Sequence, residues 1–155
     1  MTDGPLDDQR TDTQHAPPLL RTRFDVNQIA AVRHALARCL RAAGLSGERL
    51  DDFVTAINEA MTNAVRHGGG HGELWLWRGD PPGPDGELVC EVHDRGPGFA
   101  DTLSIPRSRP LPSPNGGMGL WLARELADAL AVHSDSHGVR VRLTMALRPS
   151  AGQIG

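Results

Sequence analysis

From Leu50 onward, apolar residues fall at Leu50, Phe53, Val54, Ile57, Met61, Ala64 and Val65, with polar residues between them. That three-and-four spacing predicts a helix over 50–70 with one buried stripe. Ile29, Val32, Leu36 and Leu40 repeat the pattern, predicting an amphipathic helix over 27–43 with Asp25 or Asn27 as its cap and Gly44 as its end. Ser46 stands where the central helix needs an N-cap, with Arg49 where a capping box would place Glu. A third helix, opened by glycines, is expected over 116–131.

The other apolar stretches alternate. Val139, Val141, Leu143, Met145 and Leu147 face one way and Arg140, Arg142 and Thr144 the other, the mark of a strand covered on one side and wet on the other. Residues 73–78 and 87–94 form two more strands across the turn-rich loop 79–86, with Leu88, Cys90 and Val92 sharing a face. Trp75 and Leu76 are apolar neighbours, so the first of these strands is expected to be partly covered on its outer side too. Residues 19–26 suit an edge strand. Residues 95–115 carry five prolines and little apolar patterning, and a connection of that length is usually functional or disordered.

These elements sort into an α+β two-layer sandwich, three helices on one face of a mixed, mostly antiparallel sheet. A single domain over 18–148 is expected, with a polar tail at 1–17 and a short one at 149–155.

Composition narrows the function. The chain has 155 residues, 23% of them charged, and a formal net charge of −3, which points away from nucleic acid and from anionic membranes as partners. No apolar run approaches a membrane span, and the first residues lack the basic and apolar regions of a signal peptide, so a cytoplasmic location is expected. Cys39 and Cys90 lie in apolar patterns without a C-x-x-C pair and read as small, reduced core residues.

Three short motifs offer chemistry. Glu59 and Asn63 stand one turn apart on the polar side of the central helix, followed by His67. Mg²⁺ keeps most of its waters and needs one or two protein oxygens beside substrate phosphates, so the Asn63 side chain suffices as an anchor. A carboxylate one turn away can take a proton from an incoming hydroxyl. Asp94, at a strand end, begins Asp-Arg-Gly-Pro-Gly-Phe: its carboxylate is an acceptor for an exocyclic amine, and glycines admit a flat base against the backbone. Gly116-Gly117-Met118-Gly119-Leu120 opens a helix whose unpaired N–H groups and positive dipole end favour an anion. Each motif also suits plain helix, turn or loop geometry. It is their order and the long loop between the last two that are specific.

In that order, EAMTNAVRHG, DRGPGF and GGMGL resemble the Bergerat-fold ATP-binding family (gyrase B, Hsp90, histidine kinase catalytic domains, MutL), and within it the small anti-sigma factor serine kinases. The resemblance implies ATP and Mg²⁺ as ligands, Asn63 as the Mg²⁺ ligand and Glu59 as the general base. It makes Asp94 the acceptor for the adenine amino group, with Gly96 and Gly98 against the ring and ribose. Gly117 and Gly119, with Met118 and Leu120 in the same segment, would bring the helix N-terminus to the phosphates, under residues 95–115 as a lid. His67 matches a position expected to be structural. The implied partners are a sigma factor and an anti-sigma factor antagonist, with a homodimer as the favoured assembly. A non-catalytic, nucleotide-dependent binding protein on the same scaffold is the alternative. One departure supports it: Val139 follows Gly138 where the family commonly has Thr, whose hydroxyl would join adenine through water.

Overall fold

The structure, a computed structural model, describes residues 17–79, 85–95 and 118–148. Five strands and three helices follow one another as β1 (Leu20–Asp25), α1 (Ile29–Ala42), α2 (Gly47–His67), β2 (His71–Arg78), β3 (Glu87–Asp94), α3 (Met118–Leu126), β4 (Ala129–Asp135) and β5 (Gly138–Ala146). The strands form one sheet in the order β1-β2-β3-β5-β4. Every pairing is antiparallel, so the sheet lies at the antiparallel end of the sequence expectation. The expected lid, but for Arg95, and both tails, but for Pro17, lie outside the described residues, as does most of the β2–β3 loop.

Register places one row of side chains on the helical face. Leu20 pairs with Leu76, Leu76 with Cys90 and Cys90 with Leu143, and Leu143 pairs with Leu130. Against this row α2 sets Phe53, Ala56, Ile57, Ala60 and Met61, all buried, and α1 adds Val32, Leu36 and Leu40. One contiguous core joins all three helices to the sheet.

The helix ends differ in mechanism from expectation. Neither Asp25 nor Asn27 caps α1: its N-cap is Gln28, with no side-chain capping bond. Asp25 and Gln28 instead tie the preceding turn, Asn27 N donating to Asp25 Oδ1 at 2.8 Å and Asp25 N to Gln28 Oε1 at 3.0 Å. Gly44 does end α1. At φ 110° it lets Leu45 N reach Leu40 O at 3.0 Å and Gly44 N reach Arg41 O at 3.1 Å, a Schellman closure. Ser46 holds the N-cap position of α2, but its side chain makes no capping bond.

The third helix is shorter than its pattern suggests, ending at Leu126 rather than at residue 131, and β4 follows. Asp128 makes the break. Its N–H donates to Thr144 O at 3.0 Å, and its Oδ2 accepts from Ala146 N at 2.8 Å and from Arg49 at 2.9 Å. Alanines at 129 and 131 are good helix formers, yet backbone pairing with β5 claims the segment.

Both faces of β3 are buried, apart from the half-buried Glu87 and His93. On the side away from the helices, Glu91 accepts from His93 Nε2 at 2.8 Å and Arg142 NH1 at 3.0 Å. Trp75 stacks on Trp77 with ring centroids 5.6 Å apart, and Arg21 lies 4.1 Å over Trp75. This side of the sheet is covered by its own aromatic and charged side chains. Cys90 is buried, Cys39 partly so, and both are free.

Candidate active site

Helix α2 presents Glu59 and Asn63 on its polar side, one turn apart and both half-buried. Helix α3 starts alongside. A Cβ added at Gly119 would lie 2.9 Å from Glu59 Oε1, so the carboxylate end of Glu59 sits against the glycine and would have to move aside for a side chain there. Burial raises the Glu59 pKa, with the charge of Arg66 opposing the rise. A carboxyl group held in this way keeps a greater affinity for a proton than an exposed one.

Asp94 ends β3, the middle strand of the sheet, and is buried. It lies on the helical face, in register with Val139. The C-terminus of α2 comes up to it: Gly68, the C-cap, donates to Ala64 O at 2.7 Å and is itself buried against the Asp94 side chain. From Glu59 to Gly68 the helix advances about 13 Å, at a rise of roughly 1.5 Å per residue. One rigid element therefore carries Glu59 at one end of the site and abuts Asp94 at the other, with Asn63 between.

Of the residues singled out from the sequence, Glu59 and Gly119 meet directly, and Asp94 stands at the far end of the same helix. Leu120 is buried and belongs to the core. Met118 opens α3; its side chain, and all of Gly96, Gly98 and Gly117, lie outside the described residues. His67 is half-buried in the last turn of α2. Two residues at this end of the site, one against Asp94 and one a strand beyond Val139, escape sequence reading. Gly68 looks like one of three glycines ending a helix. Ser134, in register with Val139 on the face of Asp94, lies in a strand whose local pattern suits helix and loop.

The donor set suits Mg²⁺ better than a metal that demands a protein cage. Among the described residues no three His, Cys, Asp or Glu side chains gather to hold a metal, whereas Asn63 offers one half-buried amide oxygen next to a carboxylate. That is the sparse protein contribution a phosphate-bound Mg²⁺ uses.

The model of the histidine kinase-like ATPase domain matches residues 22–145. The chain belongs to this family. Its membership bears out the Bergerat-fold resemblance carried by the three motifs, and with it the ATPase-type scaffold. Two anti-sigma F factors from Clostridium botulinum strains, Alaska E43 and Eklund 17B, are each 29% identical over 118 residues, covering 74% of this chain and 82% of theirs. A crystal structure of the RsbU and RsbW domains of a Mycobacterium tuberculosis protein superposes with a TM-score of 0.60 at 25% identity, over 86% of this chain and 34% of that one. This chain thus spans about a third of the length of that one. No helix among the described residues is long and apolar enough to cross a membrane.

Proposed function

We propose that the chain is a cytoplasmic, ATP-dependent protein serine kinase of the anti-sigma type, which sequesters a sigma factor and phosphorylates an anti-sigma antagonist. The observation that carries this reading is the placement of Glu59, half-buried and pressed against the first turn of α3, one turn from Asn63 on the helix that ends at Asp94. A module that only bound nucleotide would need Asp94 and Asn63 but not a partly desolvated carboxylate at the phosphate end. The family membership and the curated relatives named anti-sigma factors support the choice of partner class.

In this reading Asp94 accepts from the adenine amino group and sets the orientation of the nucleotide. The start of α3, where Gly119 carries no side chain, directs N–H groups at the phosphates. Asn63 would hold Mg²⁺, which would supply charge neutralisation at the phosphates. Glu59 takes the proton of a serine hydroxyl as its oxygen bonds to the γ-phosphorus. The bond from that phosphorus to the bridging oxygen breaks, and ADP leaves with the electron pair.

Glu59→Gln is nearly isosteric. The variant should keep ATP·Mg²⁺ binding while phosphoryl transfer to the co-purified antagonist falls by about 10²–10⁴, the usual worth of a positioned base. Asn63→Ala should lose Mg²⁺-dependent binding and transfer together. The measurements are radiolabel transfer and calorimetry on each protein. A Glu59→Gln enzyme as active as the wild type would remove the base assignment.

Val139 favours the second reading, a nucleotide-dependent binding protein without transfer. It is buried and in register with Asp94, where a hydroxyl would be expected to help hold the adenine. Val139→Thr should tighten ATP binding by up to about tenfold if it restores one water-bridged contact. An unchanged dissociation constant would mean that the site already has a polar solution, with Ser134 the neighbour in register. Wild-type protein that binds ATP yet transfers nothing to any co-purified partner would favour the binding-protein reading.

A further inference from the structure

We infer that Gly68 is a positioning residue for adenine selectivity: its missing side chain makes the seat into which the Asp94 carboxylate fits. The inference rests on the nucleotide-binding reading above and extends it to a residue that acts through Asp94.

Three glycines follow α2, and they are glycines for different reasons. Gly69 and Gly70 have φ of 91° and 92° with nothing within 4 Å of an added Cβ. Their requirement is conformational, since L side chains rarely adopt that backbone. Gly68 is the reverse case. Its φ of −110° and ψ of 27° are open to any residue. A Cβ there would lie 2.5 Å from both Cβ and Oδ2 of Asp94 and closer still to its Cγ. Real Cβ atoms do not approach other atoms that closely, and a two-bond Asp side chain has no long flexible end with which to retreat. Because Asp94 Cβ is itself in the clash, a change of rotamer does not relieve it, and β3 or the end of α2 would have to shift.

Gly138 closes the seat from the other side. A Cβ at this position would fall on the Asp94 carbonyl oxygen, 2.9 Å from its carbonyl carbon and 3.0 Å from Arg95 Cα. The backbone of Asp94 is thus held against the start of β5 while its carboxylate is held against the end of α2. Two close approaches from remote parts of the chain leave little freedom for the acceptor. A hydrogen bond to an exocyclic amine depends steeply on such placement, and preorganisation by packed neighbours is what makes a single acceptor selective.

The test compares ATP with the triphosphate of purine riboside, whose base lacks the 6-amino group, by calorimetry with Mg²⁺. Wild-type protein should prefer ATP. Gly68→Ala should weaken ATP binding about tenfold or more while changing the affinity for purine riboside triphosphate by no more than about twofold, so that the preference collapses. Gly69→Ala, which disturbs backbone but not Asp94, should lower the melting midpoint and keep the preference. The inference is overturned if Gly68→Ala retains the wild-type preference, if it weakens both triphosphates equally, or if wild-type protein shows no preference to lose.

A second measurement works without nucleotide. In a double-mutant cycle with Asp94→Gly, Gly68→Ala should lower the melting midpoint when Asp94 is present and much less when Asp94→Gly has already emptied the seat. Should Gly68→Ala fail to fold alone, its recovery by Asp94→Gly supports the seat, and failure of both proteins overturns it. A wild-type protein that binds neither triphosphate defeats the nucleotide-binding reading, and with it adenine selectivity, whereas the cycle still reports whether Gly68 seats Asp94.

Discussion

Glu59 and Glu91 carry the same side chain into opposite electrostatic settings. At Glu91 burial pushes the carboxyl pKa up, but the hydrogen bond from His93 and the charges of His93, Arg142 and Arg140 override it and hold the group below its ordinary range. Its stabilising contribution is therefore present above the unfolded pKa and is lost as pH falls through the lowered folded value. Glu91→Gln should cost about 1–3 kcal/mol at neutral pH, by loss of charge-assisted hydrogen bonds in a buried position, and the deficit should shrink in acid. Glu59 has the opposite sign. With its folded pKa raised, its contribution is fully present below the unfolded pKa and is lost as pH rises through the folded one. Glu59→Gln should then be more stable than wild type at neutral pH and lose that advantage below about pH 4, near the ordinary Glu value. Urea denaturation of both variants across pH checks the pair; two curves of the same sign would contradict the assignments. A carboxylate kept where it weakens the fold is what a functional group looks like.

Among the elements, β4 depends most on a single long-range clamp. Arg49, in the first turn of α2, donates to Asp128 Oδ2 at 2.9 Å and to Ala146 O at 2.6 Å, while Asp128 also holds the Ala146 N–H. The position that would carry Glu in a capping box thus ties the helix to the edge of the sheet instead of capping it. Asp128→Ala removes the acceptor shared by a guanidinium and a backbone amide. It should cost about 1.5–3 kcal/mol, the range for hydrogen bonds to charged groups, with local opening concentrated in 129–135. Hydrogen exchange read peptide by peptide, alongside denaturant unfolding, measures both. A loss below about 0.5 kcal/mol, ordinary for an exposed ion pair, would show that the clamp is only a surface contact.

The molecule as a whole should unfold as one unit. Phe53 in α2 is fully buried in the core cluster that also holds Leu40, Leu74, Ala123 and Leu143, drawn from every layer. Phe53→Ala should cost about 3–5 kcal/mol, and far-ultraviolet dichroism and tryptophan emission should give coincident transitions in wild type and variant. Trp75 and Trp77 lie on the sheet face away from the helices, so emission reports on the sheet once Trp121 of α3 is replaced by Phe in both proteins. Separated transitions would mean that the sheet outlasts the helical layer.

Read from sequence, the central helix, the β2–β3 pair, the last strand and the two-layer class are legible because each rests on local periodicity: a side chain's face follows from its spacing along its own element. Motif order along the chain singles out Glu59, Asn63 and Asp94 by resemblance, and the roles it implies for them are those proposed above. β4 is not legible, because Ala129 to Asp135 is compatible with helix until Asp128 and β5 compete for its backbone, and that competition involves partners far along the chain. The caps fail for a similar reason: Ser46 suits local capping, but Arg49, standing where a capping box would place Glu, finds in Asp128 a charged partner that a helix terminus does not offer. Gly68 is the sharpest instance. In sequence it is one glycine in a run of three, and its φ and ψ are ordinary. Its significance comes from Asp94 occupying the volume a Cβ would fill. Excluded volume between segments distant in sequence leaves no periodicity and no local preference to read, and so it is set only when the chain has folded.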